Sequence, residues 1–220
     1  MDEYLGVNAT VHNDEAKKKA TKTSDGVKFQ GAWAEWPVGK QGENQLYHFA
    51  NHNFTLVATV SIHNVPVGDT PIPLMGAVMN DTDRPVLLGL SYNKERKWQV
   101  LCSGKTTEIS DNWIPGKTHQ LAIVLQTGTK GSVYVDGEHV GNAQCEWENK
   151  EDKKISHFYI GGDGDSTGSE KGVSVTVKNV LLYNRPLEDT EIKALNANKV
   201  SIPYLEERNT AGVSRSPDGN

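Results

Sequence analysis

His119–Gly141, HQLAIVLQTGTKGSVYVDGEHVG, is the stretch on which the fold turns. HQLAIVLQ reads as one strand, and TGTKGSVYVDGEHVG reads as two consecutive hairpins. Asp136-Gly137 is the strongest two-residue hairpin signal, because both residues tolerate the positive φ angles that a tight turn of this kind needs. The chain therefore doubles back twice within 23 residues, which predicts an antiparallel meander.

The same pattern extends outward in both directions. NFTLVATVSIHNV, 53–65, is a long strand with Leu56, Ala58, Val60 and Ile62 on one face. PVLLGLSYN, 85–93, alternates Val86, Leu88, Leu90 and Tyr92, and KWQVLC follows after the turn-like NKER. SHFYIGG, 156–162, is a further strand ending in glycines. LEDTEIKALNANK, 187–199, is the one good helix, anchored by Leu187, Ile192 and Leu195. Strands joined by short turns, with a single helix near the end, predict an all-β sandwich of two antiparallel sheets plus one C-terminal helix. The sandwich is expected over residues 27–200. Residues 1–26 are polar and are read as a linker, or the end of an interdomain connection, and 201–220 as a disordered tail.

At 220 residues the chain suggests one domain. Its net charge of -5 gives no sign of a nucleic acid partner, which would call for a basic stripe. Lys17, Lys18, Lys19 and Lys22 have Asp14 and Glu15 as neighbours and read as a solvated charge run. No stretch approaches the roughly 18 apolar residues of a membrane span. Asp2 and Glu3 stand where a secretory signal would be basic, and the C-terminal residues form no lipid-anchor signal. Three N-glycosylation sequons begin at Asn8, Asn53 and Asn80, and they favour an exported protein. In that setting Cys102 and Cys145 form the natural disulfide; the alternative is two buried free thiols.

VSVTVKNVLLYNRPL, 173–187, poses a separate question. Val173, Val175 and Val177 alternate with polar residues, and then Val180, Leu181, Leu182 and Tyr183 run together. A strand with one wet face becomes apolar on both. The second sheet, the helix or a partner must cover the new surface. Val175 and Val177 are expected in the core, and Asn179 is expected to satisfy a backbone group. Leu182, Tyr183, Asn184 and Arg185 are left as candidates for contact with a partner.

Two of these segments resemble known patterns. The 119–141 stretch looks like the strand–hairpin signature of laminin-G-like and concanavalin A-like jelly rolls. VTVKNVLLYNR, 175–185, resembles the V-T-V-x-N-V-x-L-Y-N-R signature of the trypanosome trans-sialidase superfamily of surface glycoproteins at every fixed position. WPVGKQGENQLYHFANHNFTLVATVSIHNVP, IPLMG, LLGLSYN and SHFYIGGDG are similar to the same family's C-terminal module, so the resemblance covers about residues 4–200. It implies a lectin-like jelly roll joined by a long helix to an N-terminal six-bladed sialidase propeller, the expected partner. It also implies an extracellular or cell-surface place for the parent, lipid-anchored or shed. In the family the signature is implicated in attachment to host cells, through a surface protein or glycan.

In that family the propeller carries the arginine triad, the tyrosine nucleophile with its glutamate, the aspartate acid/base and the S-x-D-x-G-x-x-W boxes. None can be placed here; SPDGN, 216–220, lacks the box spacing. The chain is expected to be no enzyme by itself and to need no cofactor. It reads as a non-catalytic module for host-cell adhesion, for scaffolding the propeller, or both. The alternative is the C-terminal part of an active trans-sialidase or exo-α-sialidase whose catalytic residues lie outside this chain. A sugar-binding lectin is a third reading, with Trp33 and Trp36 as the aromatic platform or, otherwise, packing residues. His48 and His52 have metal-like spacing, but in an extended segment they lie about 13 Å apart, too far to share an ion. Asp163 and Asp165 sit in a glycine-rich loop that lacks the ligand spacing of a calcium hand. No metal site is expected.

Overall fold

The computed structural model describes residues 9–14, 18–38, 45–80, 85–147, 154–163 and 173–199. The strands among them are β1 Thr10–His12, β2 Lys19–Lys22, β3 Val27–Gln30, β4 Trp33–Pro37, β5 Phe54–Ile62, β6 Ile72–Met79 and β7 Val86–Tyr92. They continue with β8 Lys97–Cys102, β9 Lys105–Asn112, β10 Thr118–Gln126, β11 Lys130–Val135, β12 Glu138–Glu146, β13 Ile155–Ile160 and β14 Val175–Tyr183. A 3-10 helix, Gln45–Asn51, precedes β5, and α1, Asp189–Ala197, follows β14.

Two seven-stranded antiparallel sheets form, in the orders β1-β4-β13-β6-β7-β8-β9 and β12-β11-β10-β5-β14-β3-β2. This is the two-sheet, lectin-like sandwich with one C-terminal helix that the turn pattern predicts. Asp136 and Gly137 take φ +52° and +82° and close the β11–β12 hairpin. Between the sheets lie Phe54, Leu56, Ala58, Val60 and Ile62 of β5 and Leu121, Ile123 and Leu125 of β10. They meet Leu88, Leu90, Trp98, Phe158 and Ile160 of the first sheet. Burying each large side chain contributes about 1.5–3 kcal/mol.

The unbroken apolar run in β10 has a simple cause. Its other face, Ala122 and Val124, packs with Val57, Tyr134, Leu187 and Ile192 in a second cluster on the outside of the sheet. There α1 supplies Ile192, which is fully buried. Cys102 and Cys145 form a disulfide with Cα atoms 5.8 Å apart. It joins β8 of one sheet to β12 of the other, closing a long loop whose entropy in the unfolded chain is worth about 4 kcal/mol.

The sandwich reaches further towards the N-terminus than residue 27, the boundary read from sequence. β1 pairs with β4, and β2 pairs with β3. Both are short edge strands made mostly of exposed residues, so they carry no hydrophobic alternation to read. The tail 201–220 lies outside the described residues.

Candidate functional site

The phase break in β14 is a β-bulge. Lys178 pairs with Thr59 and Leu181 with Val57, so Asn179 and Val180 together stand opposite one residue of β5. Asn179 has φ +50°, a left-handed conformation that asparagine accepts more readily than most residues. Before the bulge the odd residues Val175 and Val177 face the core. After it the even residues Val180 and Leu182 do. Tyr183 now points outward onto the cluster under α1. Leu181 also faces outward and is 41% exposed. Asn179 itself is exposed, and its contribution is this backbone geometry.

The turn after β14 is held from several sides. The Thr55 hydroxyl donates to the Arg185 carbonyl at 2.9 Å and accepts from the Leu187 amide at 2.8 Å. The Arg185 guanidinium forms a bidentate pair with Glu191 of α1, at 2.9 and 2.6 Å. Glu191 also accepts the Glu188 amide at 3.0 Å, at the start of α1. The Arg185 hydrogen bonds, with that amide, hold the Glu191 carboxyl down to about 2. Of the four sequence candidates, Tyr183 and Arg185 are thus engaged with the helix region, Asn184 is exposed in the turn, and Leu182 is half-buried.

Leu182 lines a cleft of about 790 Å³ between the two sheets. Its walls include Phe29, Trp36, Leu56, Phe158 and Ile160. Val11 and Leu181 line it too, at 42% and 41% exposure, two of the large apolar side chains left in water. Sequence reading missed both. Val11 sits in a strand with no apolar periodicity, and the direction in which Leu181 faces depends on the bulge. At the rim Lys178, itself buried, bonds to Asp25. This partner holds the Asp25 carboxyl below its ordinary range. Beside them Gly26 lies so close to β14 that a Cβ would stand 2.3 Å from the Val177 carbonyl oxygen.

A second polar cluster centres on Asp136. It accepts from His119 Nδ1 at 2.8 Å, the Gln120 amide at 3.0 Å and Lys199 Nζ at 2.7 Å. Burial alone would raise its pKa, but His119, Lys199 and the amide outweigh that and hold it far below the usual carboxylate range. The cluster ties the hairpin turn to the end of α1, where Asn196 Nδ2 donates to the Asp136 carbonyl at 2.7 Å.

The other readings resolve in different ways. Trp33 stacks on His12, with centroids 4.8 Å apart, and carries Lys18 Nζ 4.7 Å from its ring centroid. Trp36 packs against the core and also lines the cleft. His48 and His52 are not extended: the 3-10 helix brings their rings to 6.1 Å. Among the described residues, no three metal-ligating side chains converge. Asp165 and most of its loop lie outside the described residues. Of the sequons, Asn8 also lies outside them, Asn80 is exposed, and half-buried Asn53 accepts the Thr127 amide at 3.0 Å.

The fold and site define the class: a two-sheet, lectin-like sandwich with an apolar cleft beside β14. Residues 1–190 match the family described as the C-terminal domain of trans-sialidase. The chain is 40% identical over 191 residues to a sialidase of Trypanosoma cruzi, covering 86% of this chain and 16% of that protein. It superposes on Trypanosoma rangeli sialidase with TM-score 0.74 at 38% identity, covering 86% of this chain and 29% of that one. The binding domain of a botulinum neurotoxin shares the fold alone, at TM-score 0.59 and 10% identity. The chain belongs to the trypanosome trans-sialidase family and corresponds to its non-catalytic C-terminal domain. It spans under a third of the length of these sialidases.

Proposed function

We propose that this chain is a non-catalytic contact module of a trypanosome surface protein, joining an N-terminal sialidase propeller and presenting a surface for host-cell attachment. The observation that carries this reading is the cleft beside β14, with Leu181 and Val11 left apolar at its rim. Exposed apolar surface around a groove marks a place where proteins meet. Its position also refines which residues of the signature make contact. Leu181 and Leu182 border the cleft, Asn184 is exposed in the turn that follows, and Tyr183 and Arg185 hold that turn.

A disulfide and three sequons support an extracellular setting for the parent. Purified chain is expected to bind host cells and to release no sialic acid from sialyllactose. Leu181→Ser should lower cell binding with an unchanged melting temperature. Full binding by a folded Leu181→Ser variant refutes the contact reading, and persistent turnover by the pure chain refutes the non-catalytic one.

The second reading is that the parent is an active sialidase or trans-sialidase. The likeness to T. rangeli sialidase favours it. In that parent the same module steadies the propeller.

A further inference from the structure

Every residue from Val177 to Leu182 lines the cleft. Successive side chains of a strand point to opposite faces, so one face alone would contribute every second residue. An unbroken run means that the cleft lies along the edge of β14, where its backbone is. The pairing agrees. On the β5 side, β14 is paired out to Tyr183. On the other side, β3 pairs only with Val175, Thr176 and Val177. There the chain reaches Gly26, which has no room for a side chain, and Asp25 bonds to Lys178 as it leaves. Among the described residues, no strand pairs with Asn179–Tyr183 on that open side.

We infer that this open edge binds an extended apolar polypeptide segment, which adds to β14 as a strand and places alternate side chains in the cleft. Resting on the contact-module reading, the inference names the chemistry of the partner. In strand addition, main-chain hydrogen bonds supply affinity and pockets for alternate side chains supply selectivity. The described edge offers both: backbone beside Leu181, and walls of Phe29, Trp36, Leu56 and Phe158. Its length suits a short extended segment. Five residues extend about 17 Å, the stretch of β14 from Asn179 to Tyr183 that β3 leaves unpaired.

The test uses a fluorescent peptide of alternating threonine and valine with lysine ends, and the same peptide N-methylated at alternate amides. The unmodified peptide is expected to bind saturably and to slow hydrogen exchange at Asn179–Tyr183. N-methylation, or Leu181→Lys in the protein, should weaken binding about tenfold or more, since lysine on an edge opposes strand addition. The variant's circular dichroism should match the parent's. Absence of saturable binding, or equal affinity for both peptides, overturns the inference. So does a concentration-dependent dimer in light scattering that Leu181→Lys abolishes. Host-cell binding measured on the same samples separates the two ideas: attachment that survives Leu181→Lys while peptide binding is lost rejects the host-contact role of this edge and upholds strand addition, whereas a parent chain that attaches to cells but takes up no peptide rejects strand addition.

Discussion

Thr55→Val tests the link between β5, the turn after β14 and α1. Thr55 is fully buried, and valine keeps its shape while removing the hydroxyl. That hydroxyl serves the Arg185 carbonyl and the Leu187 amide at once. A buried backbone group left without a partner costs about 1–3 kcal/mol. Two such groups, partly relieved by relaxation, place the loss near 3 kcal/mol. For a chain of this size that lowers the melting temperature by about 6–12 °C. Because Thr55 also completes the Asn53 sequon, the protein should be made in bacteria, so that no glycan confuses the comparison. Thr55→Ser, which keeps the hydroxyl, should recover most of the loss. The assay is urea unfolding followed by circular dichroism. A loss below about 1 kcal/mol with an unchanged m-value would refute the bridging role.

Replacing Cys102 and Cys145 together by serine should cost about 4 kcal/mol, read as a lower urea midpoint, and the reduced parent should match the variant. Asp136 has a depressed pKa in the folded chain, so its stabilisation is full above the unfolded value near pH ~4 and is lost as acid titrates the folded carboxyl. The parent's urea midpoint should therefore fall through that range, and the Asp136→Asn variant, less stable at neutral pH, should fall less steeply. Asn179→Gly should leave the melting temperature nearly unchanged, whereas Asn179→Val should lower stability by about 1–2 kcal/mol, since a β-branched residue is strained at positive φ. Equal stabilities would show that the left-handed bulge does not matter.

Much of the architecture was legible in short-range pattern. The Asp136-Gly137 turn, the alternation in β5 and β7 and the anchors of α1 each state their own local geometry. Among the elements that were not read as strands, β1, β2 and the polar β9 lie at sheet edges, while β3, β4 and β6 lie inside the sheets. An edge strand buries little, so its sequence need not alternate. His48 and His52 show another limit, because their distance depended on whether the backbone was extended or coiled as a 3-10 helix.

VTVKNVLLYNR shows the same division within eleven residues. Its letters carried the resemblance to the family, and its period of two put Val175 and Val177 inside. The letters were silent on which of Val180, Leu181, Leu182 and Tyr183 faces where. One left-handed residue at Asn179 reverses the phase of all that follows. β5 then fixes the new register, and α1 covers Tyr183 but not Leu181. Composition and periodicity sufficed for the sandwich because each strand carries its own alternation. The open edge and its cleft depend on where β3 stops, a contact between segments more than a hundred residues apart, and on what α1 covers.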